Sequence, residues 1–411
     1  MGSERSPLTR EAAQAAAEAR LQQATLEDLE AVRLLLRGGS IVDWHRLDMR
    51  DHDEVDRFLR ANEFDPTRER DVARLENLRS EAVDYLVRNF AFRLPDEVAE
   101  RVPARDLFLI ASRRTKRQIY ACIVLKVMHI IHHLAGRELL FRLPISDDDL
   151  FRLVQAKVVR IVEEIRASGH PIIELEWSRK PRDSLVTKLL AKRSTLAASI
   201  YDKTRFRLVL RDREDILPVL IELTHRLIPF NYVVPNESVN DIIAFRKSVQ
   251  DSPTLARLAA GLQGDIGLEE RQVGAQAGMN EFSGPGYRII NFVADLPVRV
   301  DDFLSRIADP GYSEHGPIVF VLTEFQIVDA KTAHENETGE NSHERYKERQ
   351  AARVKQRLLR GLAERSVPPG PRGAPVTADT ADTADLADST DPTDPTDPTD
   401  PTDPTDPTDE D

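Results

Sequence analysis

One cysteine, two tryptophans and four methionines are spread over 411 residues, and aromatic side chains make up 6% of the chain. A lone Cys122 cannot build an intramolecular disulfide framework, so a reducing, cytoplasmic setting is expected. No run of about 18 uncharged apolar residues occurs, and the N-terminus lacks the apolar stretch of a secretion signal, so no membrane association is expected. Missing too are a P-loop, a dinucleotide-binding glycine fingerprint and a serine-hydrolase elbow. Lys and Arg are absent from Gly373 to Asp411, where 12 Asp and one Glu stand. The formal charge of −13 therefore belongs to that tail, and residues 1–372 hold 57 basic and 57 acidic residues. Such balance gives no case for DNA as a partner; any basic surface has to be local.

The hydrophobic pattern divides the chain. Residues 1–24 are rich in Ala, Glu, Arg and Gln and are expected to be a frayed helix or disordered. Residues 25–168 carry apolar residues at helical spacing and predict a helical N-terminal domain. Its helices are expected at Thr25–Arg37, Asp53–Ala61, Thr67–Asn89, Asp106–Ser112, Arg117–Leu134 and Ser146–Ala167. Residues 169–350 alternate β-rich runs (Pro171–Trp177, Phe206–Leu210, Tyr287–Ala294, Ile318–Val328) with helical ones, which predicts an α+β fold with a small mixed sheet and flanking helices. Residues 252–285 have the composition of an insertion or loop. A charged helix is expected over 351–367. In the tail of 368–411 Thr-Ala-Asp repeats give way from Asp391 to Asp-Pro-Thr repeats with proline in every third position, and its like charges repel, so it cannot build a core.

Four segments carry candidate chemistry. SRKPRDSLVTKLLAKR (178–193) sets Lys180 four residues before Ser184 and Lys188 four after it, with Asp183 or Ser184 able to cap a helix whose amides then face an anion. Asp202 precedes the apolar strand that contains Arg207. Tyr287 follows Gly286 and offers an aromatic face for stacking. The strand Ile318–Val328 delivers Glu324 and Gln326, followed by Glu337, Gly339, His343 and Lys347. His129, His132 and His133 share a helix that is apolar nearly all round, where packed histidines are favoured over a metal site. Trp44, His45, Trp177 and Cys122 are expected to be packing residues.

In order and spacing these segments resemble the RelA/SpoT-type synthetases of guanosine pyrophosphate alarmones, over roughly residues 170–350. The resemblance implies a nucleotidyltransferase-like domain that moves pyrophosphate from ATP to the 3′-hydroxyl of GDP or GTP. Lys180, Ser184 and Lys188 would grip the donor's phosphates, with Arg207 in support. Asp202 and Glu324 would hold Mg²⁺ and prepare the acceptor hydroxyl, alongside Gln326. Tyr287 would stack on the acceptor base. The chain departs from the family pattern at Arg205 (a Gly there), Ile289 (Ser), Asn291 (His) and Val328-Asp329 (Arg-Thr). Those departures leave two alternatives open: a nucleotide-sensing module that has lost catalysis, and a transferase acting on the 3′ end of a tRNA.

Overall fold

The computed structural model describes residues 10–37, 47–191, 204–260, 286–305, 316–338 and 343–363. Helix α1 (Arg10–Leu21) is docked rather than frayed. Ala13, Ala17 and Leu21 form a buried stripe at i, i+4, i+8, and Arg20 pairs with Asp215 at 2.9 Å. Helix α2 (Leu26–Arg37) opens on a capping box in which Thr25 Oγ1 accepts from the Asp28 amide and Asp28 accepts from the Thr25 amide. Then come α3 (His52–Ala61), α4 (Glu69–Phe90), α5 (Asp106–Ser112), α6 (Gln118–Arg142) and α7 (Asp147–Ala167). The helical expectation holds throughout this half, with one difference of length.

Helix α6 runs on past Leu134 because Gly136 serves packing instead of stopping the helix. A Cβ there would lie 2.5 Å from the Phe320 ring, so glycine lets the helix axis come down onto a strand. By length and hydropathy α6 could cross a bilayer, although it fails the stricter test of an uncharged run. In the fold it buries Ala121, Val124, Leu125, Met128 and Leu139 against its neighbours.

The second half supplies β1 (Ile172–Arg179), α8 (Arg182–Ala191), β2 (Thr204–Leu210), α9 (Ile216–Arg226), β3 (Val239–Asn240), α10 (Phe245–Asp251), α11 (Pro253–Ala260), β4 (Ile290–Arg299), α12 (Asp301–Leu304), β5 (Ile318–Asp329), α13 (Ala330–Glu337) and α14 (His343–Ala363). The class is α+β, as the pattern of strands and helices predicts. Five strands lie in the order β1-β2-β5-β4-β3; β2 and β5 run parallel and every other pair antiparallel. Part of the 252–285 stretch is helical, in α11; the rest, like most of the acidic tail's neighbourhood, falls outside the described residues.

Strand alternation gives the sheet two different faces. On one, Phe206, Phe325 and Phe292 stand in one cross-strand row, their rings stacked at 5.8 and 5.6 Å. With Leu208, Ile327 and Ile290 they join a core shared with α2, α7 and α9. On the other face, Phe320 near the start of β5 sits under α6, in a second core built mainly from α3 to α6. The remainder of that face carries polar residues and stays open.

Candidate functional site

The open half of the sheet is the floor of a cleft of about 1010 Å³. One row across it runs Glu176–Arg207–Gln326–Asn291–Val239, each residue paired in register with the next. The adjacent row is Ser178–Arg205–Glu324. Period-two alternation thus brings four strands' polar side chains to one surface although they lie up to 150 positions apart. The β1–α8 turn (Lys180), α8 (Ser184, Lys188) and the start of α14 (Tyr346, Lys347) form the walls, and Tyr287 also lines the cleft. Lys180, Ser184, Lys188, Arg207, Tyr287, Glu324 and Gln326, all within the described residues, line this one space, as do Glu337 and Lys347. Asp202 lies outside the described residues, as do Lys192 and Gly339.

Glu324 is 8% exposed and held from two sides. Arg205 Nε donates to its Oε2 at 3.1 Å, and Gln326 Nε2 donates to its Oε1 at 3.1 Å. Arg205, which replaces the family's glycine, is therefore tied to the candidate catalytic carboxylate, a pairing that sequence alone does not reveal. Arg207 reaches Glu337 at 3.1 Å and Glu176 at 3.5 Å, so an incoming phosphate would have to draw it from carboxylates that are largely exposed.

Other expectations are corrected locally. Helix α8 begins at Arg182, and the Leu185 amide bonds to Pro181 O at 3.1 Å, so neither Asp183 nor Ser184 is the cap. Ser184 sits within the first turn, whose amides have no intrahelical acceptors. Arg179 also lines the cleft, but its guanidinium is engaged by Asp148 at the start of α7. Asp329 does not add an acid to the site. It is buried and caps α13, accepting from the Thr332 amide at 3.0 Å and hydroxyl at 2.6 Å. Trp177, expected to pack, is 44% exposed on edge strand β1. Trp44 and His45 lie outside the described residues.

Tyr287 is placed by a clamp that the sequence did not announce. Asn336 Nδ2 donates to Arg288 O at 2.7 Å and Asn336 Oδ1 accepts from the Arg288 amide at 3.1 Å. The backbone next to Tyr287 is thus pinned to α13. Burial raises the Tyr287 phenol, with Arg207 and Arg205 pulling the other way, so the hydroxyl stays protonated at neutral pH. Asp241 is a further cleft residue missed from sequence. It sits in a mostly apolar run, VNDIIAF, with no spacing to mark it.

The histidines behave as packing residues. His132 is buried between Phe64 and Phe320, with ring centroids at 4.9 and 5.4 Å. His129 bonds to Asn231, and His133 to Asp295 at 2.8 Å. Among the described residues no three His, Cys, Asp or Glu side chains gather as metal ligands. A carboxylate has about four lone-pair sites, of which Glu324 uses two here. That donor set fits a magnesium ion carried in on a triphosphate, with Glu324 as one ligand, better than a resident metal.

No family profile matches the sequence, and no curated protein sequence does. Among solved structures the chain is similar to small alarmone synthetase 2 from Bacillus subtilis, at 13% identity and a TM-score of 0.28, over 53% of this chain and 95% of that one. It is similar to small alarmone synthetase 1 from the same organism bound to its product pppGpp, at 16% identity and TM-score 0.26, over 53% and 91%. A GTP pyrophosphokinase family protein from Streptococcus pneumoniae aligns at 13% identity and TM-score 0.25, over 54% and 94%. Likenesses at this level carry no argument about activity, which has to rest on the residues of the cleft.

Proposed function

We propose that the cleft is a nucleotide pyrophosphotransferase site, moving the terminal pyrophosphate of ATP to the 3′-hydroxyl of GDP or GTP. The observation that carries this reading is convergence. The Lys180–Ser184–Lys188 segment, Tyr287 and the Glu324–Gln326 pair come from three distant stretches and line one space. Arg179 apart, which Asp148 engages, five basic and four acidic residues line it, a small basic surplus for a triphosphate although residues 1–372 as a whole are balanced.

Lys180, Lys188 and the first-turn amides of α8 hold the donor's phosphates. Tyr287 holds the acceptor base by stacking. Glu324 accepts the proton of the 3′-hydroxyl as its oxygen bonds to the β-phosphorus, and the bond from that phosphorus to the α-phosphate oxygen breaks, releasing AMP. Glu324 and Asp202 would hold magnesium brought in with the triphosphate, which would supply charge neutralisation for the phosphate oxygens. Gln326 fixes the Glu324 carboxylate in orientation.

A second reading, a nucleotide sensor without catalysis, draws on one observation. Arg205 occupies an oxygen of Glu324 that a base or metal ligand would need free. Incubating the protein with Mg²⁺, ATP labelled in its β-phosphate, and GDP, GTP or tRNA separates the two. Label appearing on a guanine nucleotide, and lost in Glu324→Gln, supports transfer to GDP or GTP. Label on tRNA alone would replace the acceptor. Saturable binding with no labelled product under any condition would refute catalysis and leave the sensor.

A further inference from the structure

Asp241 combines three features that the proposed chemistry leaves unused. Its amide donates to Ile289 O at 2.9 Å, which continues the β3–β4 ladder and fixes its position on the cleft floor. Residues 287, 289 and 291 alternate onto that floor, so Asp241 opposite Ile289 is a diagonal neighbour of both Tyr287 and Asn291. Its carboxylate is half-buried, and no ion pair or side-chain hydrogen bond engages it among the described residues. Burial raises its pKa, with no neighbouring charge to offset that. Asn291 adds a second idle group, because its Oδ1 is buried without a hydrogen-bond partner. A half-buried carboxylate and an orphaned amide oxygen on the cleft floor cost stability unless a ligand satisfies them.

The chemistry of the two groups selects the ligand. A base lying on Tyr287 turns its hydrogen-bonding edge toward them. Guanine presents two adjacent donors on that edge, N1–H and the 2-amino group, which match the two oxygens of a carboxylate. Adenine presents the lone pair of N1 there, which a carboxylate repels. Hypoxanthine offers N1–H alone. Asn291, whose amide ends exchange by a simple flip, can donate to the guanine O6.

We infer that Asp241 and Asn291 are the residues that read the acceptor base, Asp241 accepting from N1–H and the 2-amino group of a guanine stacked on Tyr287, and so select guanine over adenine and hypoxanthine. This rests on the proposed function only in that the base of the acceptor lies at Tyr287.

Calorimetric titration of the full chain with GDP, IDP, XDP and ADP, and separately with ATP, tests it. The wild type should bind GDP about 10- to 100-fold more tightly than IDP, the effect of one charge-assisted hydrogen bond. In Asp241→Asn one acceptor becomes a donor, so GDP should weaken by a similar factor. XDP, which carries a carbonyl where guanine has its amine, should strengthen relative to GDP. ATP binding at the lysines should stay within about twofold of wild type. Equal binding of GDP and IDP by the wild type overturns the inference, and this holds even where the variant misfolds. An unchanged ranking of GDP, IDP and XDP in a folded Asp241→Asn protein overturns it while leaving the proposed function standing. Wild type that binds ATP but no guanine nucleotide overturns both the base reading and the choice of acceptor.

Discussion

Among the described residues His132 is a buried side chain with both of its polar atoms unpartnered, and removing it should stabilise the protein. Neither ring nitrogen has a hydrogen-bond partner, and its pKa is depressed well below 6.5, first by burial and then by Arg74, His129 and His133. Orphaned buried polar atoms cost about 1–3 kcal/mol each. His132→Leu keeps an apolar filler between Phe64 and Phe320 and should raise the unfolding free energy at pH 7 by roughly 1–3 kcal/mol after some loss of packing. The same cluster predicts acid sensitivity. Burial lowers His129 to about 3 from 6.5, so between those values the unfolded chain takes up a proton that the folded chain refuses. Stability is then unaffected above about pH 7, falls as pH drops through 6.5, and stops falling from this source below about 3. By pH 5 the His129 share of the loss is about 2 kcal/mol, and His132 adds in the same direction. Urea unfolding from pH 7 to 5 measures both, provided the m-value stays constant. His132→Leu should be more stable at pH 7 and shallower in its pH slope. A variant less stable than wild type, with an identical slope, would refute the view of His132 as an unsatisfied, titrating core residue.

The other predictions concern the site and one buried pair. Arg205→Gly frees an oxygen of Glu324 and restores the glycine of the resembled family; transfer rate should rise by tenfold or more if the Arg205 pair is what restrains catalysis, and an unchanged rate in a labelled-ATP assay removes that pair from the argument. Asn336→Ala opens the clamp at Arg288 and should weaken GDP binding about tenfold while leaving ATP affinity alone, a split that titration with each nucleotide reads directly. Lys157 Nζ lies 2.6 Å from Glu63 and 2.7 Å from Pro297 O, wholly inside the fold. Lys157→Met should cost about 3–5 kcal/mol in urea unfolding, and adding Glu63→Gln should recover part of it.

Periodicity made the elements legible, and pairing geometry hid the rest. Apolar spacing located α2 to α7 within a few residues, and only Gly136 misled. A glycine that ends a solvated helix and one that admits a phenylalanine ring look alike in sequence. The four motif segments were visible because their chemistry depends on short-range spacing, as with Lys180, Ser184 and Lys188. What remained hidden depends on which strand lies beside which. Arg205 meets Glu324 only because β2 and β5 run parallel in that register. Asp241 meets Ile289 only because a two-residue strand closes the far edge of the sheet. Asp329, which stands where the resembled family has a threonine, is a cap because α13 starts at once after β5.

The two halves of the cleft-side face make the strongest case for function. Along β5, Phe320 and Leu322 precede Glu324 and Gln326 on the same side of the strand. Of the first pair, Phe320 is covered by α6, where Gly136, His132 and His133 pack around its ring. The second pair lines the cleft instead, with Arg205, Arg207, Asn291 and Glu176 beside it across four strands. A sheet selected for stability alone would continue the apolar row under the helix layer, because each buried methylene there is worth about 0.8 kcal/mol. Instead the polarity changes between Leu322 and Glu324, where the cover ends. Replacing Gln326 by Leu should therefore leave the protein as stable as wild type or more so, and abolish nucleotide binding or turnover. A loss of stability with nucleotide affinity intact would show that the polar row holds the sheet together and that no ligand is needed to explain it.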